Sequence, residues 1–126
     1  MVVSNTDDMV RQMSPRLVAG LWRFETVSED GFANLLPSAQ AVFREDEGVS
    51  MILPADEETQ LAMCQITLDV NSSLEGTGLT AAVSTALAAA GIACNMVAAH
   101  HHDHVFVPAN RVDDAMKILN STSDSR

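Results

Sequence analysis

The chemistry-bearing residues of this 126-residue chain fall into two short runs. The first, Asn71-Ser72-Ser73-Leu74-Glu75-Gly76-Thr77-Gly78, gathers hydroxyls, one carboxylate and two glycines just before an apolar-periodic stretch. If a helix starts there, its first N–H groups lack internal partners and carry partial positive charge. Such an end can hold a carboxylate. Gly76 and Gly78 let a ligand come close to the backbone. Glu75 offers a counter-charge to an ammonium group, and Ser73 and Thr77 offer hydroxyls. The same residues admit a plainer reading. Ser72 and Glu75 fit a Ser-x-x-Glu capping box, which explains both without a ligand.

The second run is His100-His101-His102-Asp103-His104. On a strand, residues two apart share a face. His100 and His102 would then project together, and His104 could join one of them across a tight hairpin. Imidazole and carboxylate suit zinc, nickel or copper. A tight turn accounts for the same residues without metal, because Asp at a turn bonds its own backbone. Proton transfer would need a substrate pocket to which no other residue points. A more modest use is pH sensing, since imidazoles near an acidic surface titrate near neutrality. We therefore expect no metal, no cofactor and no catalytic set.

The remaining candidates have simple structural readings. Cys64 and Cys94 lie in apolar, strand-like contexts without CxxC spacing, as reduced buried thiols do. The seven Met residues are spread along the chain and suit gap filling in a core. Glu45-Asp46-Glu47 and Asp56-Glu57-Glu58 lack the spacing of a calcium loop and read as solvated turns.

Composition bounds the partners. Hydrophobic residues make up 47% and charged residues 19%, enough for a packed core. Seventeen acids oppose seven bases, giving a formal charge of −10. A field of that sign repels phosphate, so nucleic acid and anionic membrane are poor partners. Aromatics are 4%, with no Tyr, which removes stacking platforms for single strands. No apolar stretch follows a basic start, and no run approaches the roughly 18 apolar residues of a membrane span. The expectation is a cytoplasmic protein.

The elements that position these residues follow from periodicity. Residues 1–14 read as a polar lead-in with a short helical stretch from Asp7 to Met13. Leu17 to Val27 alternates as one half-buried strand. Residues 28–38 have loop composition. Ala41 to Glu45 and Val49 to Leu53 read as a hairpin around Asp46-Glu47-Gly48. Asp56 to Leu61 reads as one or two helical turns. Met63 to Val70 is the cleanest strand. Leu79 to Ala90 is a helix with Leu79, Val83, Ala86, Leu87 and Ala90 on one stripe. Ala93 to His100 and His104 to Pro108 are strands. A helix follows, capped by Asn110, with Val112, Ala115, Met116 and Leu119 buried. Residues 121–126 read as a frayed tail. Residues 63–120 thus run β-α-β-β-α, a ferredoxin-like unit lacking its last strand. Val18 to Thr26 is the strand expected to supply it, since soluble proteins avoid open sheet edges.

Several strings resemble the small bacterial ACT-domain proteins of uncharacterised, tandem-ACT-like type. They are Ser72-Ser73-Leu74-Glu75, Gly78-Leu79-Thr80-Ala81-Ala82-Val83, and His102-Asp103-His104 before a Phe-Val-Pro strand. Trp22 to Val27 and Ala41 to Pro54 extend the resemblance to the first half. Thr77 and His101 depart from the pattern expected there. The resemblance implies an α+β fold of two ACT-like βαββαβ halves, residues 15–61 and 62–120, with antiparallel sheet covered by helices. It also implies a non-catalytic regulatory module that binds a small ligand, most plausibly an amino acid, at the loop Ser73, Glu75, Gly76, Thr77, Gly78 and Leu79. Asn95 on the following strand is placed near that ligand. A homodimer is expected. The alternative is an oligomerisation or interaction module without ligand, and below it stands a metal-dependent enzyme built on His100, His102 and His104.

Overall fold

The computed structural model describes residues 2, 5–70 and 74–124. The chain forms two compact units: residues 1–19 with 64–126, and residues 20–63.

The first unit begins with helix α1 (Thr6–Gln12), capped by Asn5, whose side chain accepts from the Asp8 N–H. Its polar residues face out, but Met9, Val10 and Met13 are almost fully buried. The N-terminal segment is thus part of the core rather than a lead-in to it. Strand β1 (Pro15–Leu17) follows and pairs antiparallel with β5 (Met63–Leu68) in the register Arg16↔Thr67. Helix α3 (Leu79–Ala89), β6 (Asn95–Ala98), β7 (Asp103–Pro108) and helix α4 (Val112–Asp124) complete the unit. Its strands lie in the order β1-β5-β7-β6, with β6 and β7 antiparallel. One face of this sheet carries Ile66, Leu68, Val105 and Val107. These pack on Met9, Val10 and Met13 of the α1 segment, on Leu79, Val83 and Leu87 of α3, and on Ala115 and Leu119 of α4. Strand alternation puts Gln65, Thr67, His104 and Phe106 on the opposite face.

The strand that the β-α-β-β-α order lacks does come from the N-terminal half, but it is not Val18 to Thr26. It is β1, extended by the Val18 N–H donating to the Gln65 carbonyl at 2.9 Å. The expected strand over 17–27 is broken at residues 18–20, where Gly20 has φ +104°, and β2 (Leu21–Val27) belongs to the other unit.

In the second unit, β2, β3 (Ala41–Glu45) and β4 (Gly48–Ala55) form an antiparallel three-stranded sheet with β4 in the middle. The hairpin sits where the sequence places it. Gly48 takes φ +147°, and a Cβ there would stand 2.8 Å from Thr26 Cγ2. Residues 28–38 are not loop. They form helix α2 (Glu29–Leu35) and a 3-10 turn over Leu36–Ser38. Ser28 accepts from the Gly31 N–H, and Glu29 and Asp30 lie at the positive end. Phe32 and Leu35 cover Val49, Met51 and Leu53 on one sheet face. The opposite face leaves Phe24 and Phe43 49% and 73% exposed. Residues 56–61 form turns without a helix, held by the Asp56 carboxylate accepting from the Glu58 N–H and the Thr59 hydroxyl.

Asn110 lies within a 3-10 turn over Ala109–Arg111 rather than at the head of α4. The expected frayed tail is helical through Asp124, and the Ser123 hydroxyl donates to the Arg11 carbonyl.

Candidate functional site

Helix α3 opens at Leu79 with Gly78 as its N-cap, at φ +102° and without a side-chain cap. Its first N–H groups therefore point out of the helix with no side chain closing them off. This start overturns the capping-box reading. Glu75 would have to be the third helical residue, and it lies ahead of the cap. Asn71, Ser72 and Ser73 fall outside the described residues. Glu75 and Thr77 are exposed, and Gly76 is half-buried. Leu79 turns its side chain into the core at 4% exposure and presents only its backbone to the loop.

Thr6 meets the same place from α1. Its hydroxyl donates to the Thr77 carbonyl, and a Cβ on Gly78 would lie 2.6 Å from Thr6 Cγ2 and Oγ1. From there a groove of about 400 Å³ runs along α3, lined by Thr6, Gly78, Ala81, Ala82, Thr85, Ala86 and Thr122. Of these only Gly78 is among the ligand-binding residues expected from sequence. Thr6 and Thr122 lie far from residue 78 along the chain, and nothing local in the sequence joins them to it. Asn95 stands on β6, paired with Phe106, and its amide donates to the Phe106 carbonyl at 3.3 Å.

The histidines do not converge. The rings of His100 and His101 are 4.8 Å apart, edge to face, and those of His101 and His102 are 6.4 Å apart. His104 lies in β7, where its Nδ1 is 2.9 Å from Thr67 Oγ1 and 3.3 Å from Gln65 Nε2. Among the described residues no three His, Cys, Asp or Glu side chains gather as metal ligands would. Arg16 holds Asp69 beside this cluster through Nε to Oδ2 at 2.8 Å. That hydrogen bond keeps the Asp69 carboxyl below its ordinary range. Burial lowers the His104 pKa and raises both cysteine thiols, which are free.

A family model described as an ACT domain matches residues 62–121. The chain carries an ACT domain. The matched segment holds β5, α3, β6, β7 and most of α4, and the sheet position beside β5 is filled by β1 from outside it. The ACT domain here thus borrows its remaining strand from earlier in the chain. A crystal structure of a Vibrio cholerae protein of unknown function, described as a possible transport protein, is 38% identical with TM-score 0.76, over 89% of this chain and 91% of that one. An Agrobacterium tumefaciens protein of known crystal structure shares the fold at 16% identity and TM-score 0.63, over 86% of this chain and 87% of that one. Nothing among curated proteins matches the chain. ACT domains generally are regulatory rather than catalytic and often bind amino acids. No described helix is long and apolar enough to cross a membrane.

Proposed function

We propose that this ACT-domain protein is a non-catalytic regulatory module that binds a small ligand, an amino acid, at the start of α3. The observation that carries the reading is the groove that opens at Gly78, where the first turn of α3 has no side-chain cap. A ligand carboxylate would sit on the first N–H groups of α3. The loop of Ser73, Glu75, Gly76 and Thr77 would close over the ammonium group, with Glu75 as its counter-charge. The ligand's body would lie along Ala82 and Ala86, with Thr6 and Thr85 also lining the groove. The volume suits a small molecule, at the lower end of the roughly 300–1,000 Å³ of ligand pockets. Asn95 and a second copy of the chain would complete the site if it forms at a dimer interface. Within this reading residues 15–61 are a degenerate ACT-like half, residues 62–120 the ligand-binding one, and the protein works in the cytoplasm.

The test is a thermal screen of the twenty amino acids on protein shown by native mass spectrometry to be ligand-free. A binding amino acid at about 100 times its Kd should stabilise the fold by about 2.7 kcal/mol, a rise of several degrees for a chain of this size. Glu75→Gln should weaken that response. A screen without a single stabilising amino acid overturns the reading.

A second reading has its own observation. Phe24 and Phe43 stand exposed on the sheet face of the second unit that α2 leaves bare. That face suits an interaction or oligomerisation module without ligand.

A further inference from the structure

On the sheet face away from the helices, three polar side chains meet where hydrophobic ones would be expected. Gln65 and Thr67 of β5 are 4% and 3% exposed, and His104 reaches them from the neighbouring β7. Gln65 Nε2 donates to Thr67 Oγ1 at 2.9 Å. Thr67 Oγ1 lies 2.9 Å and Gln65 Nε2 3.3 Å from His104 Nδ1. With its proton on Nε2, the neutral ring offers Nδ1 as the acceptor for the Thr67 hydroxyl. A proton added to Nδ1 removes that acceptor and must use the second lone pair of Thr67 Oγ1, whose first is engaged by Gln65. The Thr67 hydroxyl proton then loses its acceptor in a buried place, and an unmatched buried polar group is costly.

The charged groups around the ring do not resolve the conflict. From its own run His102 disfavours the imidazolium and Asp103 favours it. From β1 Arg16 disfavours it, and Asp69, just past β5, favours it but is bound by Arg16. Burial is the largest influence and also opposes the charge.

We propose that the Gln65–Thr67–His104 junction is a proton-sensitive latch between β5 and β7 of the ACT domain, closed with His104 neutral and released when Nδ1 takes a proton. It is independent of the groove on the helix side. Below the ordinary His pKa, each pH unit should raise the open population by up to about tenfold, until the closed form itself protonates.

Nuclear magnetic resonance on the full chain tests this directly. Ring ¹⁵N shifts should show the neutral His104 proton on Nε2. Amide hydrogen exchange at Thr67 and Val105 should accelerate on acidification relative to the same amides in His104→Gln. Thr67→Val removes the hydroxyl donor at nearly constant shape and should move the His104 midpoint back up toward its ordinary value. A neutral ring protonated on Nδ1 overturns the latch. So does identical pH dependence of exchange in wild type and His104→Gln, or a His104 midpoint unmoved by Thr67→Val.

Discussion

Gly78 carries two constraints that a sequence alone does not separate. A glycine before a helix suggests room for a ligand, yet here Thr6 of α1 fills the space over its α-carbon, and φ is +102°. Gly78→Val therefore meets a steric clash and a left-handed backbone at once. It should cost about 1–3 kcal/mol from the backbone conformation alone, measured by denaturant unfolding of ligand-free protein. Removing the clashing side chain with Thr6→Ala should recover part of the loss, so the double variant should be less destabilised than the two single losses added together. An additive pair would show that Thr6 does not press on this position. Asp69 offers a second measurement. Its carboxyl is held below the ordinary range by Arg16, so the folded state binds that proton less readily than the unfolded chain. The resulting stability is present above the unfolded carboxylate pKa and is lost as pH falls through the folded value. The stability gap between wild type and Asp69→Asn should therefore close on acidification, with both partners too exposed for a large effect. A gap constant with pH would show that the Arg16 ion pair adds nothing.

At the scale of elements, regular periodicity was readable and interrupted periodicity was not. The β5 alternation, the α3 stripe of Leu79, Val83 and Leu87, and the hairpin at Asp46-Glu47-Gly48 all stand where their spacing places them. Helix α2 was hidden because Gly31, Asn34 and Pro37 give its segment a loop composition. The signal that could reveal it was Ser28 as a cap, Glu29 and Asp30 in the first turn, and Phe32 and Leu35 three apart. The split between β1 and β2 was hidden because the alternation continues nearly in phase across Gly20. Of the candidate site, the loop and helix start were legible, and Thr6 and Thr122 were not, since only tertiary packing brings α1 and α4 alongside α3. The same packing yields a prediction. Removing residues 1–18 takes Met9, Val10 and Met13 from the core and strips β1 from the edge of β5. The remaining chain should lose its cooperative melt in the first unit and the amide dispersion of β5 and α3. Met13→Ala alone should cost about 2–5 kcal/mol by chemical denaturation. A truncated chain that keeps a sharp transition with native-like β5 shifts would mean that α1 and β1 decorate the domain rather than build it.

At the scale of the whole molecule, a charge of −10 sets how copies of the chain meet. Two such copies repel at low ionic strength, and the repulsion shrinks as the Debye length falls from about 30 Å at 0.01 M to about 10 Å at 0.1 M salt. If the exposed Phe24 and Phe43 face takes part in a two-fold dimer, association should strengthen with salt, and Phe43→Ser should weaken it. Sedimentation velocity at two salt concentrations reads both effects, and a monomer throughout would rule the dimer out. The interleaved chain path bears on how the molecule reaches its native state. The ACT domain closes only when β1 finds β5, and residues 20–63 lie between them as a tether. Loop-closure entropy grows with the logarithm of tether length, about 0.6 kcal/mol for each doubling. The tether contains the local β3–β4 hairpin, and hairpins form on a microsecond scale when isolated. Once β2, β3 and β4 have paired, the ends at Gly20 and Met63 are joined through a short ordered path instead of a long random one. The second unit would then act as an internal splint that lowers the entropic barrier to assembling the first, so a defect placed at Val49, within the second unit, should slow the folding of β5 and α3.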